Sequence, residues 1–206
     1  MMTEPNDIIE DSIQQQIIQA AQQLFQIHGL QKVTMDDVAR EIGKRRSSLY
    51  YYYKSKEEIL DAAIDVEMRR ILAELTQAVD AAPGLEEKVS GYFRARLNMS
   101  QKTREFYTMI DNGMNAGEMS DYTKVIHTMH TRFRQLEIPL LRKILNFGIE
   151  NGLLRSMDTK EQDALIFVLL SSIQGFKKEI VIKKNFDNIK PAISMWIYLI
   201  LQGFKK

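Results

Sequence analysis

An all-α fold is predicted by three features of the sequence. Apolar residues recur every three or four positions along most of the chain, the spacing of a helix face rather than of a strand. Only 4 prolines and 10 glycines punctuate 206 residues, which favours long helices over a many-stranded sheet. Capping residues stand where the apolar runs begin, and Gly or Asn stands where they stop. About nine helices are expected, with a three-helix unit over residues 1–56 and a long helix opening a second helical domain over 57–206.

The first helix is expected from near Asp7, with Ile13, Ile17, Ala20, Ala21, Leu24 and Phe25 on one face and His28-Gly29 closing it. The stretch Thr34 to Lys56 then reads TMDDVAREIGKRRSSLYYYYKSK. Thr34 caps a short helix that turns Val38, Ala39 and Ile42 inward, and Gly43 supplies a residue able to take positive φ. A second short helix follows, roughly Arg45 to Tyr52, anchored by Leu49. Two short helices joined through a glycine turn make a helix-turn-helix, whose second helix fits a DNA major groove.

The side chains of this second helix suit that groove. Lys44, Arg45, Arg46, Lys54 and Lys56 are basic, with no acid between Lys44 and Lys56. Arginine pairs two donors with O6 and N7 of guanine, while Ser47 and Ser48 serve bases or phosphates. Tyr50, Tyr51, Tyr52 and Tyr53 are consecutive. Successive helical positions lie about 100° apart, so some rings must face outward, where a hydroxyl donates to phosphate. Taken singly, a basic run is usually a solvated face and a tyrosine a core residue with a wet hydroxyl. The glycine turn, basic face and aromatic exit together favour a DNA reader.

The fourth helix opens at Ser55-Lys56, with Glu57 and Glu58 where the helix dipole favours them and Ser55 and Glu58 at capping-box spacing. Ile59, Ala63, Ile71, Leu75 and Val79 carry its apolar face to the break at Ala82-Pro83-Gly84, a lever of about 40 Å at 1.5 Å per residue. Val89, Tyr92, Phe93, Arg96 and Leu97 then form one helical face, and Phe106, Tyr107 and Ile110 form another. Asn112 to Ser120 reads as loop. A long helix is expected from about Asp121 to Asn151, carrying Phe133, Leu136, Leu140 and Ile144 and kinked at Pro139. Asp158 caps the next helix, with Glu161 three residues on. Its body and the last helix, AISMWIYLILQGF after Pro191, are apolar nearly all round, which implies burial against a second copy.

Bulk properties narrow the function. Hydrophobic residues make up 45% and charged residues 27% of the chain, ordinary for a soluble globular protein. The net charge of +1 leaves any attraction for nucleic acid to a local patch. The absence of cysteine excludes disulfide frameworks and cysteine-ligated zinc and fits a reducing cytosol. The N-terminus, MMTEPNDIIEDS, is the opposite of a signal peptide. The longest apolar run falls short of the roughly 20 residues that span a bilayer. A cytoplasmic protein without membrane contact is expected. His127 and His130 stand three apart near Glu118 and Asp121, but no third ligand at motif spacing follows, so no metal and no cofactor are expected. With no P-loop, dinucleotide fingerprint or GxSxG elbow, no catalytic residue is assigned.

The segment Ile17 to Ile64 resembles the DNA-binding domain of the tetracycline-repressor (TetR) family of bacterial transcription regulators. The matching stretches are IIQAAQQLFQIHGLQKVTMDDVAREIG and LYYYYKSKEEIL: a first helix of the AAxxLF type, a Thr-capped second helix, and a Leu-Tyr-x-aromatic-aromatic exit before a lysine. Two departures stand out. Lys44 and Arg45 replace the family's usual valine-serine pair after the glycine, and Ser47 stands where a small glycine is frequent. The resemblance implies a homodimer, paired through its last two helices, that binds a palindromic operator on double-stranded DNA and is released by a small effector. Thr34, Tyr50, Tyr51 and Lys56 would then hold phosphates, and Arg45, Arg46, Ser47 and Ser48 would read base edges.

Beyond about Met68 the resemblance is one of architecture. The aromatic and methionine set Phe93, Met99, Phe106, Tyr107, Met109, Met129 and Phe133 is as suited to filling a core as to lining a cavity. The resemblance implies an effector pocket among these helices, with Phe93, Arg96, Phe106, Tyr107, Ile110, Asp111, Met129 and Phe133 as candidates, and Arg96 and Asp111 as the polar groups that orient a small apolar effector. The rival readings are a helical protein-interaction module and a small-molecule-binding helical enzyme without DNA affinity.

Overall fold

The computed structural model describes residues 5–111, 118–183 and 189–206, with side chains described over 12–98, 128–179 and 189–206. Among the described residues eight helices run in order: α1 (Pro5–His28), α2 (Met35–Glu41), α3 (Arg46–Tyr52), α4 (Lys56–Asp80), α5 (Leu85–Asp111), α6 (Glu118–Glu150), α7 (Thr159–Lys183) and α8 (Lys190–Phe204). No strand occurs among the described residues, where the only pairing of that kind is a bridge between Leu154 and Lys205. The expected ninth helix is absent from this count because α5 continues unbroken from Leu85 to Asp111. Neither Gly nor Pro falls between Tyr92 and Asp111, so the two apolar faces belong to one helix. The expected loop of 112–120 is shorter at its far end, since α6 begins at Glu118; residues 112–117 lie outside the described residues.

The chain divides into two compact units, residues 1–69 with 103–129 and residues 70–102 with 130–206. In the first, α1 buries Ile17, Ala20, Ala21 and Phe25, α2 buries Val38 and Ala39, α3 buries Leu49, and α4 buries Ile59, Leu60, Ala63 and Ile64. The helical spacing of these residues puts each set on one face, and that face is the core. Leu24 and Ile42, expected inside, are only partly covered.

Local chemistry fixes where these helices start and stop. Thr34 is extended and its hydroxyl accepts from the Asp37 N–H at 3.2 Å. The Asp37 carboxylate in turn accepts from the Thr34 N–H at 2.9 Å and from its hydroxyl at 2.6 Å. Two orphan donors of the helix end are thereby satisfied reciprocally. Gly43 has φ +64°, a backbone state that a side chain disfavours. Ser55 accepts from the Glu58 N–H at 3.3 Å, whereas the Glu58 carboxylate reaches the Lys54 N–H at 2.7 Å, one residue earlier than the expected box.

The second unit is a helical bundle around Leu75 and Val79 of α4, Tyr92, Phe93 and Leu97 of α5, Leu140, Leu141 and Ile144 of α6, Leu169 and Ile173 of α7, and Ile193 and Ile197 of α8. Lys88 closes the end of α4, donating to Val79 O at 2.9 Å and Ala82 O at 2.7 Å, where the dipole favours a cation. A side chain at Gly148 would stand 2.7 Å from Leu154 Cδ1 and 3.0 Å from Leu85 Cδ2, so glycine permits that approach. The Asp158 capping box forms as expected: Glu161 N–H donates to Asp158 at 2.8 Å and Asp158 N–H to Glu161 at 3.3 Å. Leu136, expected on the inner face of α6, is 38% exposed, and Glu137 is buried in its place.

The Thr34 hydrogen bonds hold the Asp37 carboxyl below the usual carboxylate range, the side-chain bond first and the backbone bond second. A carboxyl lowered on folding stabilises the fold above its unfolded pKa, and that contribution is lost as pH falls through the folded value. Thr34→Ala removes the first cause, so the Asp37 carboxyl should titrate at higher pH and the acid-side loss of stability should shrink. An NMR titration of Asp37 in the two proteins measures the shift; an unmoved value would deny the cap its electrostatic role.

Candidate functional site

The helix-turn-helix presents its second helix outward. Leu49 is fully buried, while Lys44, Arg45, Arg46, Ser47, Ser48, Tyr50 and Tyr51 are all exposed. One face thus carries three cations, two hydroxyls and two phenols around a single anchor. Tyr51 is 75% exposed, and its ring meets the edge of the half-buried Tyr52 at 5.0 Å between centroids. Of the four tyrosines, two face outward and two are partly covered, as 100° steps require. Burial raises the Tyr53 phenol pKa. Arg45 occupies the cap position of α3 and supplies no side-chain hydrogen bond, as expected where an arginine replaces a serine.

Arg46 is already engaged. Its Nη1 donates to Asp36 at 2.8 Å, and its Nε and Nη2 donate to the Tyr50 hydroxyl at 3.3 and 2.8 Å. The Tyr50 bond, then the Asp36 charge, raise the guanidinium pKa further. The pair is half-exposed on both sides, so solvent screens it and it is cheap to break. Asp36 therefore aims Arg46 without sequestering it.

Lys56 takes a different position from the one a phosphate contact suggests. Its ammonium donates to Leu30 O at 2.9 Å, Gln31 O at 3.2 Å and Val33 O at 3.2 Å. These bonds use all three donors of the ammonium and tie the start of α4 to the loop between α1 and α2. A phosphate would compete with that internal tie.

The effector candidates separate. Phe93, Arg96 and Phe133 are buried in the second unit, and Met129 is buried in the first. The Arg96 guanidinium lies 4.5 Å from the Phe133 ring centre. Phe106, Tyr107, Ile110 and Asp111, with Met99 and Met109, have side chains outside the described residues. Three groups that sequence reasoning missed surround Arg96. Glu137 Oε1 accepts from Arg96 Nε at 2.5 Å and from the Tyr92 hydroxyl at 2.7 Å, and Lys177 of α7 feels both charges. The signal was present: Glu137 stands four residues after Phe133 and three before Leu140, a carboxylate on an inward stripe. Lys177 likewise stands four after the buried Ile173.

Two short helices, α2 and α3, joined through Gly43 at positive φ make residues 35–52 a helix-turn-helix whose second helix is outward and cationic. The comparisons place it more narrowly. Residues 17–63 match the family described as bacterial regulatory proteins, tetR family. It is 30% identical over 80 residues to the HTH-type transcriptional repressor KstR2 of Mycolicibacterium smegmatis, a match spanning 39% of each chain. Two solved structures share the fold. A TetR transcription regulator from Haloarcula marismortui is 20% identical with a TM-score of 0.66, covering 95% of this chain and 100% of its own. SmeT, in complex with triclosan, is 15% identical with a TM-score of 0.60, covering 95% and 92%.

Replacing Lys56 by Met keeps the stem and removes the three hydrogen bonds. Urea unfolding should then show a loss of about 1–3 kcal/mol, the range for deleting a charge-assisted bond from partly buried partners. Unchanged stability would return Lys56 to the surface set.

Proposed function

We propose that this protein is a cytoplasmic, homodimeric repressor that binds a palindromic operator and is released by a small effector. The observation that carries this reading is the exposed face of α3, where Lys44 to Tyr51 surround one buried leucine. Each subunit lays α3 in a major groove, with the two grooves about one helical turn apart. Arg45, Arg46, Ser47 and Ser48 meet base edges, while Lys44, Tyr50, Tyr51 and Thr34 fix register on phosphates. Reading a guanine exchanges the Asp36 carboxylate on Arg46 for O6 and N7. Random-oligonucleotide selection with the purified protein, followed by gel shift, tests the reading. Indifference to duplexes of every sequence at low salt sinks it.

Residues 57–206 supply dimerisation and effector binding in this reading. Phe167 and Val168 on α7, and Met195, Tyr198 and Leu199 on α8, are 44–60% exposed. On α8 their spacing of three and four is one stripe, an apolar surface that fits the same stripe on a twin. Effector binding is supported by the buried polar group at Arg96 and by the triclosan complex of the structural neighbour SmeT. An effector releases DNA only by binding more tightly to the state whose readers are wrongly spaced, by about 5.5 kcal/mol for a shift from 1:99 to 99:1.

Two outcomes are expected. Arg46→Ala should relax base preference at one operator position at a cost of about 1–3 kcal/mol, measured against a panel of single-base variants; a uniform loss would make Arg46 a phosphate contact instead. Leu199→Glu should convert the dimer to monomer in sedimentation and lower operator affinity with it. A dimer that survives the glutamate would move the interface elsewhere.

A further inference from the structure

The second unit carries charge where an apolar core has little use for it. Glu137 is 1% and Arg96 5% exposed, and one oxygen of Glu137 takes both the Arg96 Nε and the Tyr92 hydroxyl. The two terminal nitrogens of Arg96 donate to none of the described residues, although the side chain is 6% exposed. Lys177, a second cation, is partly buried beside them. Burial, then repulsion by Arg96, lower its amine to about 7 against the pull of Glu137. Among the described residues, two cations therefore share one carboxylate that is already occupied. A buried guanidinium with unmet donors is costly unless an acceptor arrives. Aromatic side chains stand alongside: Phe133 under the guanidinium, Phe93 against Trp196 at 4.8 Å, and Phe176 against Trp196 at 5.9 Å.

We propose that the effector is an amphiphilic anion, an organic carboxylate on an apolar body, whose carboxylate is taken by Arg96 and Lys177 while the neighbouring aromatic side chains accommodate the body. This rests on the reading of the second unit as effector-binding and gives that effector a charge. Planar Nη donors match a carboxylate in two parallel bonds, and Glu137 accepts from Arg96 at Nε. A neutral apolar effector would leave the surplus cation as it is; a carboxylate cancels it. Binding also favours charged Lys177, so the complex takes up a proton. The charged groups that act on Lys177 are Arg96 of α5 and Glu137 of α6. Burial, with Glu137 adding to it, raises the Tyr92 phenol well above its ordinary value, so it stays neutral. Affinity for the anion is thus greatest below about pH 7 and falls as pH rises through the Lys177 value.

Calorimetric titration of the full chain with decanoate, decan-1-ol and decylamine tests the assignment. Decanoate is expected to bind at least about tenfold more tightly than the alcohol at pH 6.5, with affinity falling up to about tenfold per pH unit above 7. Lys177→Met keeps the stem and breaks no hydrogen bond to the described residues, so it should fold. It is expected to bind the alcohol as before, to lose most of the preference for decanoate and to flatten the pH dependence. An alcohol or amine bound as well as decanoate by the wild type overturns the anionic assignment and leaves the effector pocket standing. A Lys177→Met variant that keeps the full preference and slope, or loses alcohol and decanoate alike, overturns it too. No binding of any of the three overturns the assignment and the effector-binding reading together.

Discussion

A single buried side chain, Leu49, anchors α3 to the rest of its unit. It is the one buried residue of a helix seven residues long, and everything else on α3 faces solvent or half-faces it. So short a helix has little stability of its own, and its position is imposed by what surrounds it. The positive φ of Gly43 sets where α3 begins, the Thr34–Asp37 box fixes α2, and Lys56 ties the start of α4 back to the loop before α2. A face built this way is free to vary in sequence, since its outward residues are not held in the core. Lys44, Arg45 and Ser47, the departures from the family pattern, all fall on that unpacked face.

The second unit solves the opposite problem. Its charges are inward, and Glu137 is among the most deeply buried side chains described. A buried ion pair is a poor source of stability, because desolvation takes back most of the attraction. Such a group is retained where it specifies something, a packing arrangement or a ligand. The surface pairs of the same unit, Lys143–Asp80 and Arg142–Asp163, are ordinary by comparison and contribute little.

Much of the first unit was legible in the sequence because each of its devices is local. Thr34 and Asp37 are three apart, Gly43 acts at its own φ, and the inward stripe of α1 repeats every three or four residues. The second unit was less legible for a physical reason. Arg96, Glu137 and Lys177 are separated by about forty residues each along the chain, and each reads alone as one polar residue in an apolar stripe. Their meeting depends on how α5, α6 and α7 are packed, which periodicity does not encode. The Lys56 tie was hidden for another reason: its partners are backbone carbonyls, which leave no trace in side-chain identity. The unbroken α5 shows the same limit, since a change in apolar face looks like a new helix when only the pattern is seen.

The two lysine ties have a chemical corollary. A primary amine attacks an acyl reagent through a nitrogen lone pair, which requires shedding a proton and facing the electrophile. Lys56 and Lys88 spend their N–H bonds on main-chain oxygens, so reacting would first cost them those bonds. Lys44 and Lys54, exposed beside the tyrosines, make no such bond to the described residues, and acylation of this unit would erase charge from that outward side before it loosened the frame.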